Sequence, residues 1–126
     1  RILLGTVASD IHDLGKNIVS MLLRCHKFAV HDLGVDVPPA TFVEQAALLQ
    51  PHLVCISGLL TSAYDAMRET VTLLRSEGYG RPIIIGGGQL TEEVCEYVGA
   101  DHWATDAVTG VELCQRLITE QMQVGE

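Results

Sequence analysis

Leu53-Val54-Cys55-Ile56-Ser57-Gly58-Leu59 is apolar at nearly every position, not at every second one. A strand with one wet face alternates. One covered on both faces does not, and a short unbroken apolar run reads as an interior strand of a parallel sheet. Outward from this strand, 2–8, 28–33, 82–85 and 102–104 read as four further strands. Between and after them, 14–26, 41–49, 62–77, 91–98 and 107–122 read as helices. On the first of these, Leu14, Ile18, Met21, Leu22 and Cys25 recur at three and four residues, which predicts its inward face. Phe42, Val43, Ala46 and Leu49 do the same on the second, where Thr41 is the expected cap. The order βαβαβαβαβα with short connections predicts a doubly wound five-stranded parallel sheet with helices on both faces. Right-handed crossovers make the flavodoxin-like strand order 2-1-3-4-5 the default.

The 126 residues suffice for one domain with its own core, and 1–126 is read as one domain. The chain starts at Arg1 and not at methionine, so a fragment lacking a preceding segment is expected. Eight basic against sixteen acidic residues give a formal charge of −8 with no cationic cluster. That argues against nucleic acid or an anionic membrane surface as a partner, because such binding needs grouped cations. No apolar run reaches the roughly 18 residues of a membrane span, and no signal-peptide pattern opens the chain, so a soluble cytoplasmic protein is expected. Cys25, Cys55, Cys95 and Cys114 are scattered without a Cys-x-x-Cys pair and read as reduced, mostly buried thiols.

In such a sheet, ligands bind at the carboxyl ends of the strands, beside the point where strand order reverses. Three segments fall there. The first, Ser9-Asp10-Ile11-His12-Asp13-Leu14-Gly15-Lys16-Asn17, supplies an imidazole, a carboxylate two residues earlier to orient it, and a glycine without bulk three residues later, which reads as a metal-ligating loop. The others are Ser57-Gly58-Leu59-Leu60-Thr61 and Gly86-Gly87-Gly88. His26, His31, His52 and His102 have no mutual ligand spacing and read as structural. Trp103 and Tyr97 read as packing residues.

Asp10-x-His12-x-x-Gly15, Ser57-x-Leu59 and Gly86-Gly87, at these intervals, resemble the motifs of the cobalamin-binding domain. The run from His12 through Val19 and Gly99-Ala100-Asp101 are most similar to the corrinoid proteins of methyltransferase systems and the B12 module of methionine synthase. The resemblance spans essentially the whole chain. It implies a cobalamin cofactor (methylcobalamin, cob(I)alamin or a related corrinoid) bound base-off, with His12 as the lower cobalt ligand. Asp10 would hydrogen-bond the other ring nitrogen of His12, and Asp13 would cap the following helix. Gly15, Ser57, Leu59, Gly86 and Gly87 would line a slot for the displaced nucleotide tail, with Thr61 adding a hydroxyl.

The resemblance further implies a methyl carrier with no active site of its own. It would work between a substrate-specific methyltransferase and a methyl-acceptor methyltransferase using tetrahydrofolate or a thiol, with a reductive activator and a small helical cap supplied from outside this segment. Where methionine synthase continues its relay from the aspartate with a serine, this chain has Ala63. Either Thr61 or Ser62 substitutes for it, or the Asp10 carboxylate is solvated. Alternative readings are an adenosylcobalamin module of a mutase, a B12-dependent sensor, and a response-regulator-like signalling domain on the same fold. The last lacks its phosphorylatable aspartate and lysine, because Ser57 and Gly86 stand in their places.

Overall fold

The structure, a computed structural model, describes residues 1–8, 10 and 14–123. Five strands, β1 (Ile2–Thr6), β2 (Val30–Asp32), β3 (Leu53–Ser57), β4 (Ile83–Gly86) and β5 (His102–Ala104), alternate with α1 (Leu14–Cys25), α2 (Pro39–Leu49), α3 (Ala63–Ser76), α4 (Glu92–Val98) and α5 (Ala107–Gln123). All strand pairs are parallel and the order is β2-β1-β3-β4-β5, as the pattern predicts. The strands are shorter than the apolar runs: β3 stops at Ser57, and β1 at Thr6 with an isolated bridge from Val7 to Val37.

Each central strand is buried on both faces, and alternate residues divide between two cores. Leu3, Val54, Ile56, Ile83 and Ile85 pack under α2, α3 and α4 with Phe42, Met67, Val71 and Leu74. Ile2, Leu4, Leu53, Cys55 and Ile84 pack under α1 and α5 with Leu23, Val111, Cys114 and Leu117. Register therefore matters. Leu4, Cys55 and Ile84 form one row across the sheet, and Thr6, Ser57, Gly86 and Ala104 form the row nearer the carboxyl ends, on the same α1/α5 side.

Two local expectations are corrected. The helix expected to start at Thr41 begins at Pro39, and its cap position, Pro38, makes no side-chain cap hydrogen bond. Proline is preset for a first helical turn and needs no donor there, which explains the earlier start. Thr91 does cap α4, accepting the Val94 N–H at 3.3 Å.

The second correction concerns α1. Ile18, Met21 and Cys25, expected inward, are exposed, while Lys16, Ser20 and Leu23 are buried. The polar members of the inner stripe have partners. Lys16 Nζ donates to Asp32 Oδ2 on β2 and to Asn17 Oδ1, both at 2.6 Å, and Arg24 Nε donates to Ser20 Oγ at 3.2 Å. An ammonium enters a protein interior only when paired in this way.

A glycine-lined slot beneath the Asp10 loop

Asp10, in the loop after β1, is fully buried. Its Oδ2 accepts the Leu59 N–H at 2.7 Å and the Leu60 N–H at 3.2 Å, so the carboxylate joins the loop after β1 to the loop after β3. Its backbone also bridges, donating to Val7 O at 3.2 Å and accepting from Asp36 N–H at 2.9 Å. The alternative of a solvated Asp10 is thereby overturned. Backbone amides of Leu59 and Leu60 bind the carboxylate, whereas Thr61 and Ser62 lie exposed and Ala63 is buried against the Cβ position of Gly58. His12, its expected ligand role and the expected Asp13 cap lie outside the described residues.

Below this loop, between α1 and α5 and against β3 and β4, lies a cavity of about 140 Å³. The expected Gly15, Ser57, Gly86 and Gly87 all line it. Leu59 and Thr61 do not; both are exposed on the loop after β3, beside the Asp10 contact. The glycines are of two kinds. A Cβ placed on Gly87 would stand 2.1 Å from Gly58 O, so the backbone itself demands glycine there. Among the described residues, a Cβ on Gly86 would meet nothing nearer than Ala104 O at 3.9 Å, and one on Gly15 nothing within 4 Å. Neither has a positive φ. Chain packing does not require these two to be glycine, and what their missing side chains leave is room. Ser57, at the end of β3 between Thr6 and Gly86, adds a hydroxyl to the slot, as Thr105 does after β5.

Sequence reasoning missed the far wall, which α5 provides through Asp106, Ala107, Gly110 and Cys114. A signal for it existed. A glycine inside a helix costs stability and asks for a packing reason, and Gly110 stands inside α5 with its face on the slot. Asp106 caps the same helix: Oδ1 accepts the Thr109 N–H at 2.8 Å and Oδ2 the Thr109 hydroxyl at 2.9 Å.

The Thr109 amide and then its hydroxyl hold the Asp106 carboxyl below its ordinary value of 3.8. A carboxylate lowered by folding contributes stability above the unfolded value and loses it as pH falls through the folded one. Asp106→Ala should therefore lower the urea midpoint at neutral pH, and the gap from the parent should shrink only as pH falls below that ordinary value. Urea titrations at a series of pH values check this. A gap that stays constant into acid would show that the cap acts without its charge.

Among the described residues no group of three or more His, Cys, Asp or Glu could hold a metal ion, and no helix is long and apolar enough to cross a membrane. The site offers a cavity between α1 and α5 and, in the neighbouring loop, a carboxylate fixed by two backbone amides.

The B12 binding domain model matches residues 1–112, and the chain belongs to that family. Cobalamin or a related corrinoid is its cofactor class. More particularly, it is similar to corrinoid proteins of methyltransferase systems. It is 38% identical over 116 residues, 90% of this chain and 54% of the relative, to dimethylamine corrinoid protein 1 of Methanosarcina mazei. A crystal structure of a cobalamin-binding protein from Desulfitobacterium hafniense superposes with a TM-score of 0.89 at 46% identity, covering 92% of this chain and 58% of that one. The methanol:cobalamin methyltransferase complex from Methanosarcina barkeri matches with a TM-score of 0.88 at 26% identity, over 94% of this chain and 46% of that one. The chain thus spans about half the length of the relatives it matches.

Proposed function

We propose that this chain is the corrinoid-carrying domain of a methyl-transfer system, holding its cofactor base-off with His12 beneath the cobalt and the nucleotide tail in the slot between α1 and α5. The observation that carries this reading is the space at Gly15 and Gly86, which the fold leaves open and does not itself need. Bound corrinoid supplies a cobalt centre able to accept and release a methyl group, chemistry that no side chain provides. The chain's part is to bind and orient. His12 offers a neutral imidazole nitrogen, a good ligand for a late first-row metal. Asp10, pinned by the Leu59 and Leu60 amides, accepts the other ring N–H and fixes the tautomer. Ser57 bonds a ring nitrogen of the tail, and the glycines admit a flat heterocycle.

Such a domain would serve a substrate-specific methyltransferase and a methyl-acceptor methyltransferase, with a reductive activator for the cofactor. A methyltransferase complex among the structural relatives supports partners of this kind. A cytoplasmic location follows from such partners.

The test is spectroscopic. The chain and its His12→Ala variant are each incubated with hydroxocobalamin, freed of unbound cofactor and scanned in the visible. Both should retain corrinoid, and only the parent should show the spectrum of histidine ligation. An unchanged spectrum in the variant would remove His12 from the cobalt.

A further inference from the structure

Two thiols meet at the floor of the slot. Cys55, at the middle of β3, and Cys114, on α5, bring their sulfurs to 3.8 Å. Cys55 is 7% and Cys114 1% exposed, yet both line the cavity, so the slot itself is the route to them. The other cysteines are placed differently. Cys25 is exposed on α1, and Cys95 packs on the opposite face of the sheet, where its thiol donates to Ala100 O at 3.4 Å. All four thiols are free.

The pair is chemically uneven. Their shared hydrogen bond holds the Cys114 thiol down, whereas that same contact and burial push Cys55 up. The thiolate is the nucleophile, so the lowered Cys114 is assigned the first attack; the bond itself needs only the 3.8 Å approach and the shared cavity.

We propose that Cys55 and Cys114 are a reversible oxidation site that gates the slot: joined as a disulfide, they draw α5 and β3 together and shut the cavity to the corrinoid tail. The gating half rests on the corrinoid reading above; the bond itself does not. With hydrogen peroxide as oxidant, the Cys114 thiolate attacks one peroxide oxygen, forming a sulfenic acid and releasing hydroxide. The Cys55 sulfur then displaces the sulfenic oxygen, which leaves as water. Two thiols give up two protons and two electrons, and one peroxide becomes two waters. A small dithiol reverses the bond by exchange. Bonding brings the sulfurs from 3.8 Å to about 2 Å, which pulls the α5 wall of the cavity toward β3. In a cavity of about 140 Å³ an inward shift of one wall is felt.

The experiment uses the whole 126-residue chain. Fully reduced protein, freed of reductant, is treated with hydrogen peroxide, digested and mapped by tandem mass spectrometry, and parallel samples are loaded with hydroxocobalamin. The expected result is a Cys55–Cys114 cross-link, an uptake reduced by about tenfold, in the range that overpacking a filled site produces, and recovery after dithiothreitol. Protein loaded with corrinoid beforehand should cross-link more slowly, because the tail blocks the route. In Cys114→Ala, peroxide should leave the ratio of treated to untreated uptake near one. No cross-link, a cross-link with undiminished uptake, or an equal loss of uptake in Cys114→Ala would each overturn the gate while leaving the corrinoid reading standing. A reduced parent that takes up no corrinoid would overturn that reading, and the gate with it.

Discussion

Gly87→Ala should lower the thermal midpoint of the chain by about 10 °C, equivalent to about 3 kcal/mol for a domain of this size, whereas Gly86→Leu should leave it within about 3 °C. The neighbours differ in what a side chain would meet. At Gly87 it is a backbone oxygen, Gly58 O, at 2.1 Å, and Gly58 is itself hydrogen-bonded to Gly86 O at 3.0 Å. Neither strand can yield without breaking the sheet at its carboxyl edge. At Gly86 the added atoms enter the slot, where the first neighbour is 3.9 Å away. The functional outcome then inverts the stability outcome. Gly86→Leu should fold and fail to take up corrinoid, because its side chain fills the room that the tail needs. Calorimetry and cofactor uptake on both variants make the check. A Gly86→Leu protein that loads normally would move the tail out of this slot.

Asp10→Ala should destabilise the chain by about 2 kcal/mol, and Asp10→Asn by about half of that. Alanine strands the Leu59 and Leu60 amides that Oδ2 now satisfies, while asparagine keeps one carbonyl oxygen in the same place. Charge-assisted bonds are the stronger kind, so the neutral replacement still loses part of the energy. Urea unfolding measures the order of the three proteins. Equal stability of the alanine and asparagine variants would mean that the oxygen contact carries nothing. In corrinoid-loaded protein the asparagine variant should also show an altered visible spectrum, since it cannot orient an imidazole as a carboxylate does.

Much of this was legible in the sequence because the fold writes itself in apolar runs. Leu53 to Ile56 and Ile83 to Ile85 are covered on both faces and carry no alternation to misread. The loop segments after β3 and β4 were legible for the same reason: once the strands are placed, their ends are placed. What the sequence hid are partnerships over distance. Lys16 and Ser20 look like surface residues because periodicity sees only the helix. Asp32, sixteen positions away, is what lets Lys16 turn inward and Ile18 and Met21 turn out. The α5 wall was hidden because Gly110 and Cys114 belong to no recognisable motif and reach the slot only through helix packing. Leu59 was expected in the wall and stands beside Asp10, because β3 ends two residues before it and the chain has already turned away.

Asp10 and Lys16 also act together in a way that neither contact states alone. One is moored to the loop after β3 and the other ties α1 to the edge strand β2, so both sides of β1 are fastened at its carboxyl end before anything arrives. Groups already held in place meet a small entropic toll when a visitor engages them, and affinity there answers to the moorings as much as to whichever side chain makes the touch.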